Sequence, residues 1–268
     1  MNGKRPQEET QLGKGPDIKN YRISPKTIEI LAKSNIKELF PIQQATFDLI
    51  YDSHDIMGRD ITGSGKTLAY ALPLIERYRQ TQAFDKLKSA KVRGPIVLVV
   101  VPTRELAIQV SAVFDQIKHS DEYRFLPVYG GSPIEPQTDG LRRGVEIVVG
   151  TTGRILDHLD RGNLNSGNLN CVILDEADRM LDMGFQEDVE KIFEFIRKAS
   201  NPQCLLFSAT FPSWVQRVSA KYLHPAFTLV DLVKNLANKT SSSVRHLAVY
   251  CPYMNRTSCL ADISILVV

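Results

Sequence analysis

The sequence predicts an α/β fold, a mainly parallel β-sheet with helices on both faces, and three observations carry that expectation. Short runs made almost entirely of Val, Ile and Leu alternate with longer segments whose apolar residues recur every three or four places. Several of these runs lack the in-out alternation of a half-solvated strand, so they read as strands covered on both faces. A chain of 268 residues with 43% hydrophobic and 24% charged content is also long enough to bury such a sheet.

The elements follow in order. Residues 1–20 are rich in Gly, Pro, Gln, Lys and Glu with few apolar anchors, which predicts a flexible tail. The regular pattern begins at Tyr21. Strands are expected at DIMGR (55–59), PIVLVVV (95–101), RFLPVYG (124–130), VEIVVG (145–150), CVILD (171–175), CLLFSAT (204–210) and FTLV (227–230). Amphipathic helices lie between them. In TRELAIQVSAVFDQIKHS, Leu106, Val110, Val113, Phe114 and Ile117 share a face, and in DVEKIFEFIRKA so do Val189, Ile192, Phe193 and Ile196. After Asp231 the character changes: KNLANKTSSS (234–243) reads as a linker, VRHLAVYC as a strand, and the final stretch from Asn255 as a helix. One strand and one helix cannot bury a core, so 232–268 read as a linker and the start of a further domain, and the domain itself as 21–231. No internal repeat is evident.

Composition narrows the function classes. With 33 basic and 30 acidic residues the formal charge is +3, so a nucleic-acid partner would be held by a local patch rather than by a general basic field. No apolar run approaches a membrane span, and the first residues lack the apolar stretch of a secretory signal. A soluble chain that is not secreted is the expectation. Cys171, Cys204, Cys251 and Cys259 form no C-x-x-C pair and should be reduced thiols.

Two stretches carry chemistry. In DITGSGKT, between a short strand and an apolar-periodic helix, Gly63 and Gly65 allow backbone N–H groups to turn onto a phosphate, aided by the partial positive charge of the helix start. Lys66 would meet the outer phosphates and the Thr67 hydroxyl would ligate Mg²⁺. In CVILDEAD, an apolar strand ends in Asp175, placed to hold a hydrated Mg²⁺, and Glu176, placed to polarise an attacking water.

Together with FPIQ (40–43), PTRELA (102–107), GG (130–131), a T-x-G-R at 151–154 and SAT (208–210), these stretches resemble the DEAD-box ATP-dependent RNA helicases, with the motifs in that family's order. The resemblance implies an N-terminal RecA-like P-loop domain over 21–231, followed by the start of a second helicase domain. It implies ATP and Mg²⁺ as cofactors. The base would be read by Gln43 with Tyr21 stacked on it, and the phosphates held by Thr62, Gly63, Ser64, Gly65, Lys66 and Thr67. Magnesium falls to Thr67 and Asp175, and catalysis to Lys66, Asp175 and Glu176. Pro102, Thr103, Arg104, Gly130, Gly131, Thr151, Gly153 and Arg154 would line an RNA path with mostly sequence-independent backbone contacts. Asp178, Ser208 and Thr210 would couple the two sites. The implied activity is ATP-coupled local RNA unwinding by a monomer without membrane attachment. The family carries its phosphate-stabilising arginines on the second RecA-like domain, so these residues alone should turn over poorly. A non-catalytic ATP- and RNA-binding module and a DNA-directed helicase are the alternatives. LFPIQ, LDMGF and LLFSATFPSWV further resemble the nucleolar RNA helicase II (Gu) group and its plant relatives, which implies nucleus or nucleolus, with a plant organelle or the cytoplasm as alternatives.

Two positions depart from the family pattern. Thr152 replaces a proline, which restores an N–H that could meet a phosphate, at a cost of about 0.4–1 kcal/mol in lost rigidity. Asp60 stands where the family has Ala. Its carboxylate could face the phosphates and weaken binding, turn back on its own loop, or point to solvent beside Arg59.

Overall fold

The structure, a computed structural model, describes residues 7–8, 14–88, 94–233 and 249–266. These belong to two units, Met1–Leu236 and Ala237–Val268. In chain order the first contains β1 (Gln7–Glu8), α1 (Pro25–Lys33), α2 (Pro41–Tyr51), β2 (Ile56–Arg59), α3 (Lys66–Gln80), α4 (Ala83–Lys88), β3 (Val97–Val101), α5 (Arg104–Gln116), β4 (Phe125–Val128), α6 (Glu135–Arg143), β5 (Ile147–Thr151), α7 (Thr152–Asp160), β6 (Cys171–Leu174), α8 (Ala177–Asp182), α9 (Gln186–Ala199), β7 (Gln203–Ser208), α10 (Ser213–Tyr222) and β8 (Thr228–Asp231).

Each strand expected between residues 55 and 230 is present, and the strands pair in parallel in the order β1-β8-β2-β7-β6-β3-β5-β4. The central strands β3 and β6 are apolar and buried throughout because both faces are covered. Val97, Val99 and Val101 pack into one core with residues of α2, α3 and α5, whereas Leu98 and Val100 pack into the other with residues of α7, α8, α9 and α10. The stripe Val189, Ile192, Phe193 and Ile196 lies wholly in the second core.

Helix α5 shows how local chemistry fixes an element. Thr103 is extended at its N-cap, and its hydroxyl accepts from the Leu106 N–H at 3.3 Å. Replacing a capping threonine by alanine costs about 1 kcal/mol. Urea unfolding of Thr103→Ala should therefore show a loss of about 1 kcal/mol without nucleotide or RNA present; an unchanged midpoint would contradict the cap.

The expected flexible tail is corrected at its end. Ile18, in a short 3-10 helix at Ile18–Asn20, is 3% exposed, Pro16 O accepts from the Leu39 N–H at 2.7 Å, and Lys14 pairs with Asp48 at 3.0 Å. One apolar anchor and backbone pairing thus hold 14–20 against the domain. The rest of that tail, apart from the paired backbone of Gln7–Glu8, lies outside the described residues, as do the expected linker at 234–243 and most of the expected strand at 244–251. In the second unit, the expected helix is α11 (Arg256–Leu266). No helix among the described residues is long and apolar enough to cross a membrane.

Candidate nucleotide site and nucleic-acid interface

Every motif except FPIQ lies at the carboxyl end of a parallel strand, where open α/β sheets bind ligands. The 60–67 loop follows β2, PTRELA follows β3, GG follows β4, T-x-G-R straddles the end of β5, DEAD follows β6 and SAT ends β7. Because β2, β7 and β6 are neighbours, as are β3, β5 and β4, the strand order sorts these motifs into two adjoining groups. The first group holds the lysine and carboxylates, the second the arginines and exposed glycines.

In the first group, Gly63 and Gly65 have φ of +82° and +81°, a region that other residues adopt only with strain. At Gly65 a Cβ would also sit 2.4 Å from Gln43 Nε2. The Lys66 ammonium donates to the carbonyls of Asp60 and Ile61, each at 2.8 Å. Burial pushes its pKa below the usual lysine range, against the charges of Asp175 and Asp60 that raise it. Asp60 takes the second of its three orientations: it is 7% exposed and its Oδ1 accepts from the Ile61 N–H at 2.8 Å. Arg59 is engaged elsewhere, donating through Nε to Asp231 at 2.8 Å.

Asp175 is buried, and burial pushes its carboxyl up to about 6, against Tyr70 and Lys66, which lower it. Its Oδ1 accepts from the Glu176 N–H and its Oδ2 from the Tyr70 hydroxyl, both at 2.9 Å. Glu176 has φ of +52°, a conformation that costs a non-glycine residue about 1–3 kcal/mol and turns its side chain out of the strand line toward Arg179, 3.3 Å away. The oxygen donors of Thr67 and Asp175 fit Mg²⁺, a hard ion that keeps several waters and takes its other ligands from phosphates. Tyr70 was not anticipated. Its place three residues beyond Thr67, almost one helical turn on, is the sequence signal that points to it.

Two further expectations meet the structure differently. Gln43, at the start of α2, reaches the phosphate loop: its Nε2 donates to Gly65 O at 3.1 Å and its Oε1 accepts from the Phe40 N–H at 2.8 Å. One amide hydrogen and one carbonyl lone pair remain, the pair an adenine edge takes. Tyr21, expected to stack on a base, is corrected. It is 6% exposed, packed on Phe47 with ring centroids 5.0 Å apart, and its hydroxyl donates to Gly15 O at 2.8 Å. In this arrangement its ring faces protein, because the packed residues 14–20 hold it there.

The expected coupling residues come together within the first group, beside its border with the second. Thr210 donates through its N–H (2.8 Å) and its hydroxyl (2.9 Å) to Asp178 Oδ2, while Ser208 Oγ accepts from the Asp178 N–H at 3.1 Å. The β6 and β7 ends are thus joined by side chains as well as by the ladder.

In the second group, all of the expected RNA-side residues except Gly131 line one cleft of about 520 Å³. Glu105, Thr152, Met183 and Phe185 line it too. Met183 and Phe185 belong to LDMGF, which sequence reading used only as a likeness. Arg104 lies over the Tyr129 ring at 4.9 Å. Arg154 forks onto Ser132 O from both terminal nitrogens, at 3.2 and 3.1 Å, and so braces the loop after β4 against the start of α7. Gln137 supports the same loop by donating to Tyr129 O at 3.2 Å and Ser132 Oγ at 2.9 Å. The Thr152 side chain, in place of the proline, is buried, and its hydroxyl has no partner among the described residues.

A glycine-turned loop with a buried lysine at a helix start, facing a strand-end carboxylate across a parallel sheet, defines the class: a P-loop α/β nucleotide-binding domain. Within that class the chain belongs to the DEAD/DEAH box helicase family, whose pattern matches residues 40–218. It is 46% identical over 246 residues to DEAD-box ATP-dependent RNA helicase 7 of Spinacia oleracea, which covers 92% of this chain and 36% of that protein. To Nucleolar RNA helicase 2 of Rattus norvegicus it is 41% identical over 247 residues, 91% of this chain and 31% of that protein. The fold matches the crystal structure of a DEAD box protein from the hyperthermophile Methanococcus jannaschii with a TM-score of 0.71 and 32% identity, over 92% of this chain and 63% of that one. The RecA-like α/β fold expected from the sequence is therefore the observed one. The chain spans about a third of the length of these curated relatives.

Proposed function

We propose that residues 14–231 are the ATP-binding, RNA-contacting half of an ATP-dependent RNA helicase, and that 232–268 lead into a second RecA-like domain that completes the active site. The observation that carries this reading is the sorting of the strand-end motifs into a lysine-carboxylate group, tied together by Asp178, Ser208 and Thr210, and an adjoining arginine-glycine group. ATP binds along the 60–67 loop with its base against Gln43. Thr67 and Asp175 would hold Mg²⁺, which would supply charge neutralisation at the transferring phosphate. Glu176 orients the water. RNA lies in the cleft beside Arg104 and Arg154, held by phosphate and 2′-hydroxyl contacts, and local strand separation follows closure of both domains on ATP and RNA. The relatives' names support ATP and RNA as ligands, and that of the rat relative favours the nucleolus.

Fluorescence anisotropy with a single strand as RNA and as DNA of equal sequence tests the polymer. The expected result is tighter binding of RNA, insensitive to base order and weakened by salt. Equal binding of both strands would favour a DNA-directed or unselective protein, and no binding of either would overturn the interface.

Asp60 tunes the nucleotide site. A carboxylate near 9 Å from a phosphate charge repels it by about 2 kcal/mol at an effective dielectric of ~20, before salt screening. Because Asp60 points back to Ile61 and draws on the Lys66 charge, Asp60→Ala should tighten ATP binding by roughly threefold to tenfold, read by calorimetric titration. Equal affinities would show the substitution to be silent.

A further inference from the structure

We propose that Tyr70 is a positioning residue of the magnesium site, holding the Asp175 carboxylate and the Thr67 hydroxyl in one fixed relation; the inference rests on the nucleotide reading above. Three observations carry it. First, the Tyr70 hydroxyl donates to Asp175 Oδ2 at 2.9 Å, with Tyr70 0% and Asp175 3% exposed, so water has little access to compete for that bond. Secondly, the ring is pinned from two other elements. Phe207 of β7 lies 5.4 Å away between centroids and Phe114 of α5 lies 6.5 Å away, so the phenol has little freedom to withdraw. Thirdly, Thr67 is three residues earlier on the same helix, so the two side chains leave one face of α3 and Tyr70 ties Asp175 to the helix that carries Thr67.

The carboxylate is consequently clamped at both oxygens, Oδ1 by the Glu176 N–H and Oδ2 by Tyr70. Each oxygen keeps a further lone pair, and their directions are set before any ion arrives. Outer partners of metal ligands act in this way, fixing the orientation of a group that would otherwise swing between rotamers. Tyr70 touches neither nucleotide nor ion in this account. Its effect reaches the ion through Asp175, and leaves the base and the Lys66 contacts alone.

The test is Tyr70→Phe in the full chain, which keeps the ring and removes the hydroxyl. A fluorescent ADP analogue is titrated in EDTA and then, at fixed concentration, with Mg²⁺. The expected result is an affinity in EDTA within twofold of the native chain and a Mg²⁺ midpoint raised roughly tenfold, the lower end of the range for lost outer partners. Thermal melting without ligand separates this from general damage. A melting temperature that falls while the Mg²⁺ midpoint stays put would overturn the proposal, as would equal loss of affinity in EDTA and in Mg²⁺. A native chain whose nucleotide binding ignores Mg²⁺ would overturn the nucleotide reading itself. That outcome differs visibly from a normal native response with an unmoved variant.

Discussion

Lys66→Ala lowers the affinity for ATP by about a hundredfold while binding of single-stranded RNA without nucleotide is unchanged. The ammonium is already collected at the loop, held by the Asp60 and Ile61 carbonyls at 2.8 Å, so moving onto a phosphate exchanges neutral acceptors for charged ones. A hydrogen bond to a charged group is worth about 1.5–3 kcal/mol, a factor of roughly ten to more than a hundred in affinity. The upper part of that range applies because removing Lys66 also leaves the charges of Asp175 and Asp60 near the loop without the cation that offsets them. Lys66→Arg should not restore binding, since a planar fork does not occupy the position of a point charge seated between two carbonyls. Calorimetric titration checks both variants; a loss below about fivefold for alanine would remove Lys66 from the phosphate site.

Arg154→Ala has the second large effect, on RNA. With its side chain 13% exposed and both terminal nitrogens on Ser132 O, Arg154 holds two walls of the cleft together. Its loss removes a cation and one of two braces on the loop after β4, which then rests on Gln137 around the open positions Gly130 and Gly131. RNA affinity should fall by about tenfold to a hundredfold, the equivalent of one charged hydrogen bond and its geometry. The slope of log affinity against log salt should change by about one or less, because most of the loss is in shape rather than in counterion release. ATP binding stays as it was. An unchanged RNA affinity would make Arg154 a brace without consequence for the ligand.

Much of this was legible in the sequence, for identifiable reasons. The strands were readable because a sheet covered on both faces demands continuous Val, Ile and Leu, and the face of α9 because its stripe repeats at the helical period. Their order was not readable, since parallel pairing joins segments far apart in the chain, such as β2 with β7, and nothing in either run names the other. The motif residues could be listed, but not their mutual geometry. Asp60 had three open directions until its own loop offered a donor at Ile61. Tyr21 looked like a base-stacking ring because the anchoring by Ile18 was hidden in a stretch of tail-like composition. Arg154 read as an RNA contact, and its brace on Ser132 depends on how β4 and β5 lie together. Tyr70 drew no reading, because a hydroxyl on a buried helix face announces itself only once a carboxylate is found opposite.

The central claim is that the loop at 60–67, despite Asp60, is an adenine-nucleotide site read by Gln43. Parallel calorimetric titrations of the native chain with ADP and with GDP, both in Mg²⁺, test it most directly. The account predicts saturable one-to-one binding of ADP, binding of GDP at least tenfold weaker, and loss of that preference in Gln43→Ala. Equal affinity for the two nucleotides, or no heat of binding with either, would contradict it.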